Sequence, residues 1–317
     1  MAQASRRARG AAALSLAALA ACTPAPDESR YGEMVDYLLA AGFMRTDCAP
    51  ADAPFGNADL IRNFELIALA TEYVPPEPDT APGPPVQRRT PQDLRKWTGP
   101  VDWALVGDAA TEADVEIMRR LGARLEPLTG LEFRETDYEH STLDVYVMSP
   151  RERKAFARHL VDRGLAGRNR LELAWTRDPT LPCIGGLAYD DTGIRYVRVL
   201  IKEETAGPLR EDCIHEEVVQ SLGLTNDDAG VRPSVFNDDA EFARLTLHDE
   251  YLVRVLYDPR LSHGMSAAEA MPIVRRIVAE IGPDAVPPRF DPEAHAATGA
   301  CGAPPQRAAV AGRGRRG

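Results

Sequence analysis

The residues of this chain that can do chemistry together are Glu216, Glu217, Gln220, Asn226 and Asp227. Glu216 and Gln220 are one helical turn apart, so both side chains leave a helix on the same side. Glu217 adds a second carboxylate beside them. After a turn, Asn226 or Asp227 can fold back towards the pair. Adjacent carboxylates and amides of this kind can move protons or hold a cation. They also occur on plain solvated helix faces, where they do neither.

The element that must position them is a helix ending at Gly223. Pro208 suits its first turn, and Glu211 and Asp212 sit where the helix dipole favours acids. Ile214, Val218 and Leu222 recur every four residues and form one apolar stripe. Gly223 is a natural stop, because glycine takes the left-handed conformation without strain.

The pattern resembles the metzincin metalloproteases, whose motif is His-Glu-x-x-His-x-x-Gly-x-x-His. Laid on this chain, the three histidine positions fall on Glu216, Gln220 and Asn226. The general-base position is Glu217 and the glycine is Gly223. His215 is one residue too early, and Val219, four residues on, cannot bind metal. Ser234-Val235-Phe236 lies where that family carries its methionine turn, with Phe236 in place of methionine. Leu245 to Tyr257 resembles the helix that closes such domains. With Leu-Tyr-Asp-Pro-Arg-Leu at 256–261, the motifs resemble, from Leu94 to Leu261, a proteobacterial lipoprotein family known as domain of unknown function 2927.

The resemblance implies an α+β, zincin-like fold: a twisted mixed sheet backed by helices, with the motif helix beneath it. It also implies a choice of function. Glu217 acts as general base in a metal-dependent peptidase, or the domain is a non-catalytic binding or scaffold protein. Ligand chemistry favours the second. Zinc prefers imidazole and thiolate, whereas Glu216, Gln220 and Asn226 offer oxygen with one formal charge. That set suits calcium or magnesium better, and weakly even then. The expectation is no cofactor and no metal, with Glu217 accepting hydrogen bonds from backbone or Ser221.

The surrounding elements follow from periodicity. Met34, Tyr37, Leu38 and Ala41 have helical spacing, and Asn57 to Tyr73 reads as helix or strand. Val74 to Pro91 holds Pro75, Pro76, Pro78, Pro82, Pro84, Pro85 and Pro91, and reads as an extended linker. Strands are expected at 100–106, 131–135, 143–148 and 194–201. In the last, Ile194 and Tyr196 point inward and Val197 opposite. Helices are expected from the Thr111 cap to Leu128, over 150–163 and over 266–281. The domain layout is a signal peptide at 1–21, a tether at 22–30 and a helical segment with the Pro-rich linker at 31–93. The zincin-like domain covers 94–285, and 286–317 is an extension whose basic tail from Gly302 has no core.

The chain is 317 residues long with a net charge of -11 and 44% apolar residues. It can bury a full core, and its acidity argues against nucleic-acid partners. Arg6, Arg7 and Arg9 precede an apolar run that ends Leu19-Ala20-Ala21-Cys22, a bacterial lipobox. The expectation is lipidation at Cys22, a membrane held through that lipid, a periplasm-facing place in the cell envelope and an envelope protein or peptide as partner. Cys48, Cys183, Cys213 and Cys301 remain, and four cysteines in an exported chain suggest two disulfides. Cys213 begins the motif helix and Cys183 precedes the strand expected against it, so these two should pair, leaving Cys48 with Cys301.

Other pairs carry less. Gly185-Gly186 has no phosphate-loop context, and Ser141 beside His140 lacks an acid partner. Arg151-Glu152-Arg153-Lys154 reads as a solvated helix start. His248-Asp249-Glu250 reads as an exposed, capped helix turn.

Overall fold

The computed structural model describes residues 26–73, 86–237 and 239–306. The basic n-region, Cys22 and most of the Pro-rich linker lie outside the described residues, as does the tail beyond 306. The chain opens with α1 (Pro26–Ala40), which starts inside the stretch read as tether, and α2 (Asn57–Ala68). β1 (Ala70–Tyr73) and β2 (Gln87–Pro91) then pair antiparallel as a separate ribbon. The linker therefore ends in a strand, with Pro91 at its last residue, where no inner ladder bond is required of it.

The main sheet begins with β3 (Val101–Val106), α3 (Glu112–Thr129), β4 (Phe133–Glu135) and β5 (Leu143–Met148). Then come α4 (Pro150–Asp162), α5 (Arg170–Trp175), β6 (Cys183–Asp190) and β7 (Gly193–Lys202). After them stand α6 (Pro208–Gln220), α7 (Leu247–Leu256), α8 (Ala267–Ile281) and α9 (Pro292–Thr298). Spatially the strands run β4-β3-β5-β7-β6. The first four are mutually parallel, and β6 closes one edge antiparallel to β7. The architecture is thus mixed α/β with a mixed sheet. Among the described residues no helix is long and apolar enough to cross a membrane.

Strand periodicity divides the core. Leu143, Val145 and Val147 of β5 face the large core with α2, α3, α6, α7 and α8, whereas Met148 packs with Trp175, Ile184 and Leu200 on the opposite face. In β7 the inward set is Ile194, Val197, Val199 and Ile201, which corrects the expectation for Tyr196 and Val197. The pairing with β6 slips opposite Ala188 and Tyr189, leaving Arg195 as an extra residue. That bulge resets the alternation. Tyr196 instead donates its hydroxyl to the buried Asp144. Ser141 donates to the same carboxylate, while His140 turns to Asp137 at 2.6 Å, so serine and histidine serve different acids.

The segment before Leu94 belongs to the same core, with Leu60, Phe64 and Ile67 of α2 fully buried in it. So does the start of the expected coreless tail. Pro305 accepts a bond from Arg254 at 3.0 Å, and the Gln306 backbone donates to Pro127. The disulfides are Cys48–Cys301 and Cys183–Cys213. The first ties α9's exit to the loop before α2, and the second ties the edge strand to α6.

One polar run is buried rather than solvated. His248, Asp249 and Glu250 are 0%, 0% and 1% exposed. Asp249 caps α7 and receives Ser234 and the Val235 amide, and Glu250 pairs with Arg124 at 2.8 Å. These residues staple the 234–236 turn and the C-terminal segment onto α7, a role that only long-range packing reveals. Arg153 likewise turns inward to Glu204.

Candidate functional site

A cleft of about 650 Å³ lies between the edge strand β6, helix α6, strand β1 and the loop at 225–227. Glu216, Glu217, Gln220 and Asp227 line it together with Glu72 and Tyr73 of β1. α6 presents them because its other side is committed: Ile214, Val218 and Leu222 are buried in the main core. The helix start is clamped by Arg210, which bonds Asp114 at 3.0 and 3.1 Å and the carbonyls of Lys202, Glu203 and Thr205. The helix end is fixed by Gly223, whose φ is +114°. A Cβ there would lie 1.9 Å from the Arg95 carbonyl oxygen, so the position requires glycine twice over.

Within the cleft, Gln220 donates its amide to Asp227 at 2.7 Å. Asp227, rather than Asn226, is therefore the residue that folds back. Asn226 is 1% exposed and points away, donating to the carbonyls of Leu66 at 3.1 Å and Asp227 at 2.8 Å. It anchors the loop to α2. Glu217 is 7% exposed, and its carboxylate lies against β6 at Gly185. A Cβ at 185 would meet that oxygen at 2.6 Å. No hydrogen bond or ion pair reaches the Glu217 side chain among the described residues. Ser221, the donor expected for it, bonds Val218 instead.

Burial sets the electrostatics. It holds the Glu217 carboxyl well above the usual range, and the charges of Asp227, Glu72 and Asp212 push the same way. Glu216 is raised by burial and then by Asp227, Asp212 and Glu217. Asp212, one turn before Glu216, is 5% exposed and pushed up to about 8 by burial and Glu211. His215 turns to the opposite side of α6, accepts the Leu245 amide at 3.3 Å and is held neutral by burial and nearby arginines. Phe236, expected at a methionine-turn position, is fully buried in the core, with Ser234 and Val235 tied to Asp249.

Zinc does not fit the three aligned positions. Asn226 points away from the cleft, and Gln220 turns its amide nitrogen to Asp227, so the aligned positions leave one carboxylate and one amide oxygen, without the imidazole or thiolate that zinc prefers. Among the described residues no group of three or more His, Cys, Asp or Glu side chains is disposed to hold a metal ion. Sequence reasoning missed Glu72, Tyr73 and Gly185. The signal for Gly185 was present: a glycine pair inside a strand marks a close approach by another group, here Glu217 on one side and, more loosely, Glu172 beside Gly186.

One family, described as "Protein of unknown function (DUF2927)", matches residues 57–276. That span takes in the cleft, α2 and most of α8. No curated protein and no solved structure matches the chain.

Proposed function

The chain belongs to this family of proteins of unknown function, and within it we propose a membrane-anchored lipoprotein of the bacterial envelope whose protease-like domain binds a partner without cleaving it. The single observation that carries this reading is the fate of the three aligned ligand positions. Glu216 stays in the cleft, Gln220 turns its amide nitrogen to Asp227, and Asn226 is turned into the core. A cleft that offers one carboxylate and one amide at those positions, with no imidazole or thiolate, is suited to recognition rather than to zinc chemistry. A zincin-like ancestry is supported by the mixed sheet with its antiparallel edge strand over the motif helix, by Gly223 and by the buried 234–236 turn. The anchor rests on the lipobox ending at Cys22.

The second reading, an atypical peptidase with Glu217 as general base, is favoured by one feature. A carboxyl in a cleft, raised by burial and by the acids around it, can act as a general base. Metal analysis and a peptidase assay on protein purified without chelator separate the two. The expected result is zinc well below one equivalent and no hydrolysis. Stoichiometric zinc, with hydrolysis that disappears in Glu217→Gln, defeats the binding reading.

A further inference from the structure

We propose that a basic groove between α4 and the turn after α5 docks on a membrane surface, taking the anionic phosphate headgroups of the bilayer that holds the lipid at Cys22. The inference rests on the proposed anchor and adds how the domain lies against it. Its first ground is charge. Between Pro150 and Asp178 stand eight Lys and Arg residues against four Asp and Glu, in a chain whose net charge is -11. The groove, of about 460 Å³, is lined by Arg153, Lys154, Arg158, Val161, Asp162 and Arg177 among others. Arg153 is paired with Glu204. Lys154, Arg158 and Arg177 are exposed, and among the described residues no ion pair reaches any of them. Asp162 offsets one of these three charges at most. Val161, 51% exposed between Arg158 and Asp162, adds apolar surface to the same rim.

The second ground is where the expected anchor joins the fold. Asp178, next to Arg177, is held below the ordinary carboxylate range by Thr180, then by Lys202 and Arg30. Lys202 donates to the Asp178 carbonyl and, at 3.3 Å, to the Tyr31 hydroxyl. The first half of α1 therefore packs at the turn that walls the groove, while Met34, Val35 and Leu38 run on towards Met44, Leu209 and Ala243. Cys22 precedes the start of α1 at Pro26 by four residues, at most about 14 Å of chain. Pro26 to Arg30 is about one helical turn more. A lipid on so short a tether keeps the groove within reach of the bilayer. A free polyanion is the poorer occupant, because the acidic remainder of the chain repels it and nothing tethers it. Docking also places the cleft. Leu171 of α5 lines the cleft and Arg177, just after α5, lines the groove, so one short helix separates the cleft from the headgroups.

Lys154 is a built-in probe, because the chain's other two lysines, Lys96 and Lys202, are buried. The full lipidated chain is reconstituted at low salt on vesicles of phosphatidylcholine, or of phosphatidylcholine and phosphatidylglycerol in equal parts. Initial rates of lysine acylation by an amine-reactive ester are read by mass spectrometry. Flotation with the neutral vesicles reports the anchor by itself, and a chain that stays behind overturns the anchor and this docking with it. In the floating chain, Lys154 should react about tenfold more slowly on the anionic vesicles than on the neutral ones. Arg158→Gln combined with Arg177→Gln, both exposed positions, should bring the two rates within about twofold of each other. Molar salt should do the same in the unaltered protein. Equal rates on both vesicles overturn the docking and leave the anchor standing. Equal protection by dissolved inorganic phosphate on the neutral vesicles overturns it as well, and makes the groove a small-anion site.

Discussion

Glu217 holds its carboxylate where water is scarce and no donor compensates it; Asp212 is buried likewise, and Glu216, half-buried in the cleft, is raised by the acids around it as well as by burial. Each has a folded-state pKa above its unfolded value, so the folded chain binds protons that the unfolded chain has already lost. The associated stability is full below the unfolded pKa and drains as pH rises through the folded one. For Asp212 that window runs from the ordinary 3.8 to about 8. Asp212→Asn, which keeps the shape and removes the charge, should therefore raise the thermal midpoint at pH 8 and flatten its fall between pH 5 and 8. An unchanged pH profile in this variant would show that the carboxyl is compensated. Gly223 is a residue-scale constraint of another kind. Gly223→Val must adopt positive φ with a branched side chain driven into the Arg95 carbonyl. The expected cost is about 3 kcal/mol or more, read by denaturant unfolding.

At the scale of elements, α6 is held to its neighbours by an ion pair and a disulfide, and each can be removed separately. Arg210 joins its first turn to Asp114 at the start of α3, with both side chains buried. Removing one partner strands the other, so Arg210→Ala should cost about 3–5 kcal/mol. Equilibrium unfolding gives that value, and the aspartate partner should add little when removed as well. The Cys183–Cys213 bridge joins α6 to the edge strand across a separation of 30 residues. In the chain-entropy model such a loop contributes about 3–4 kcal/mol. The paired change to alanine should lose that much, and it should also loosen β6. Amide exchange localised to 183–190 is the readout that distinguishes a slack cleft wall from a globally weaker fold.

For the molecule as a whole, the described residues form one large core with α2 and the C-terminal segment built into it, and Cys48–Cys301 joins parts 253 residues apart. The expected lipid lies ahead of all of this, at Cys22. Two or more acyl chains hold a protein firmly on a membrane where one does so marginally. Cys22→Ala should therefore abolish membrane fractionation and leave the domain folded. Processing and fractionation unchanged in that variant would remove the anchor from the proposal.

The sequence by itself determined the elements whose residues signal locally. Thr111 caps α3, Pro150 opens α4 and alternating apolar residues mark β5, each decided within a few positions. It also determined that α6 ends near Gly223 and carries Glu216 and Gln220 on one side, because helical geometry needs no distant partner. Only the tertiary structure decided where the polar groups go. Asn226 and Asp227 are adjacent and equally able to turn back, and the carbonyl of Leu66, 160 positions away, selects which one does. Glu250 looks solvated until Arg124 and the Cys301 amide meet it in the core. Glu72 and Gly185 join the site through pairings across strands that no local pattern encodes. The physical reason is common to these cases. A backbone conformation is chosen by neighbours in sequence, whereas the burial and compensation of a charge are chosen by neighbours in space.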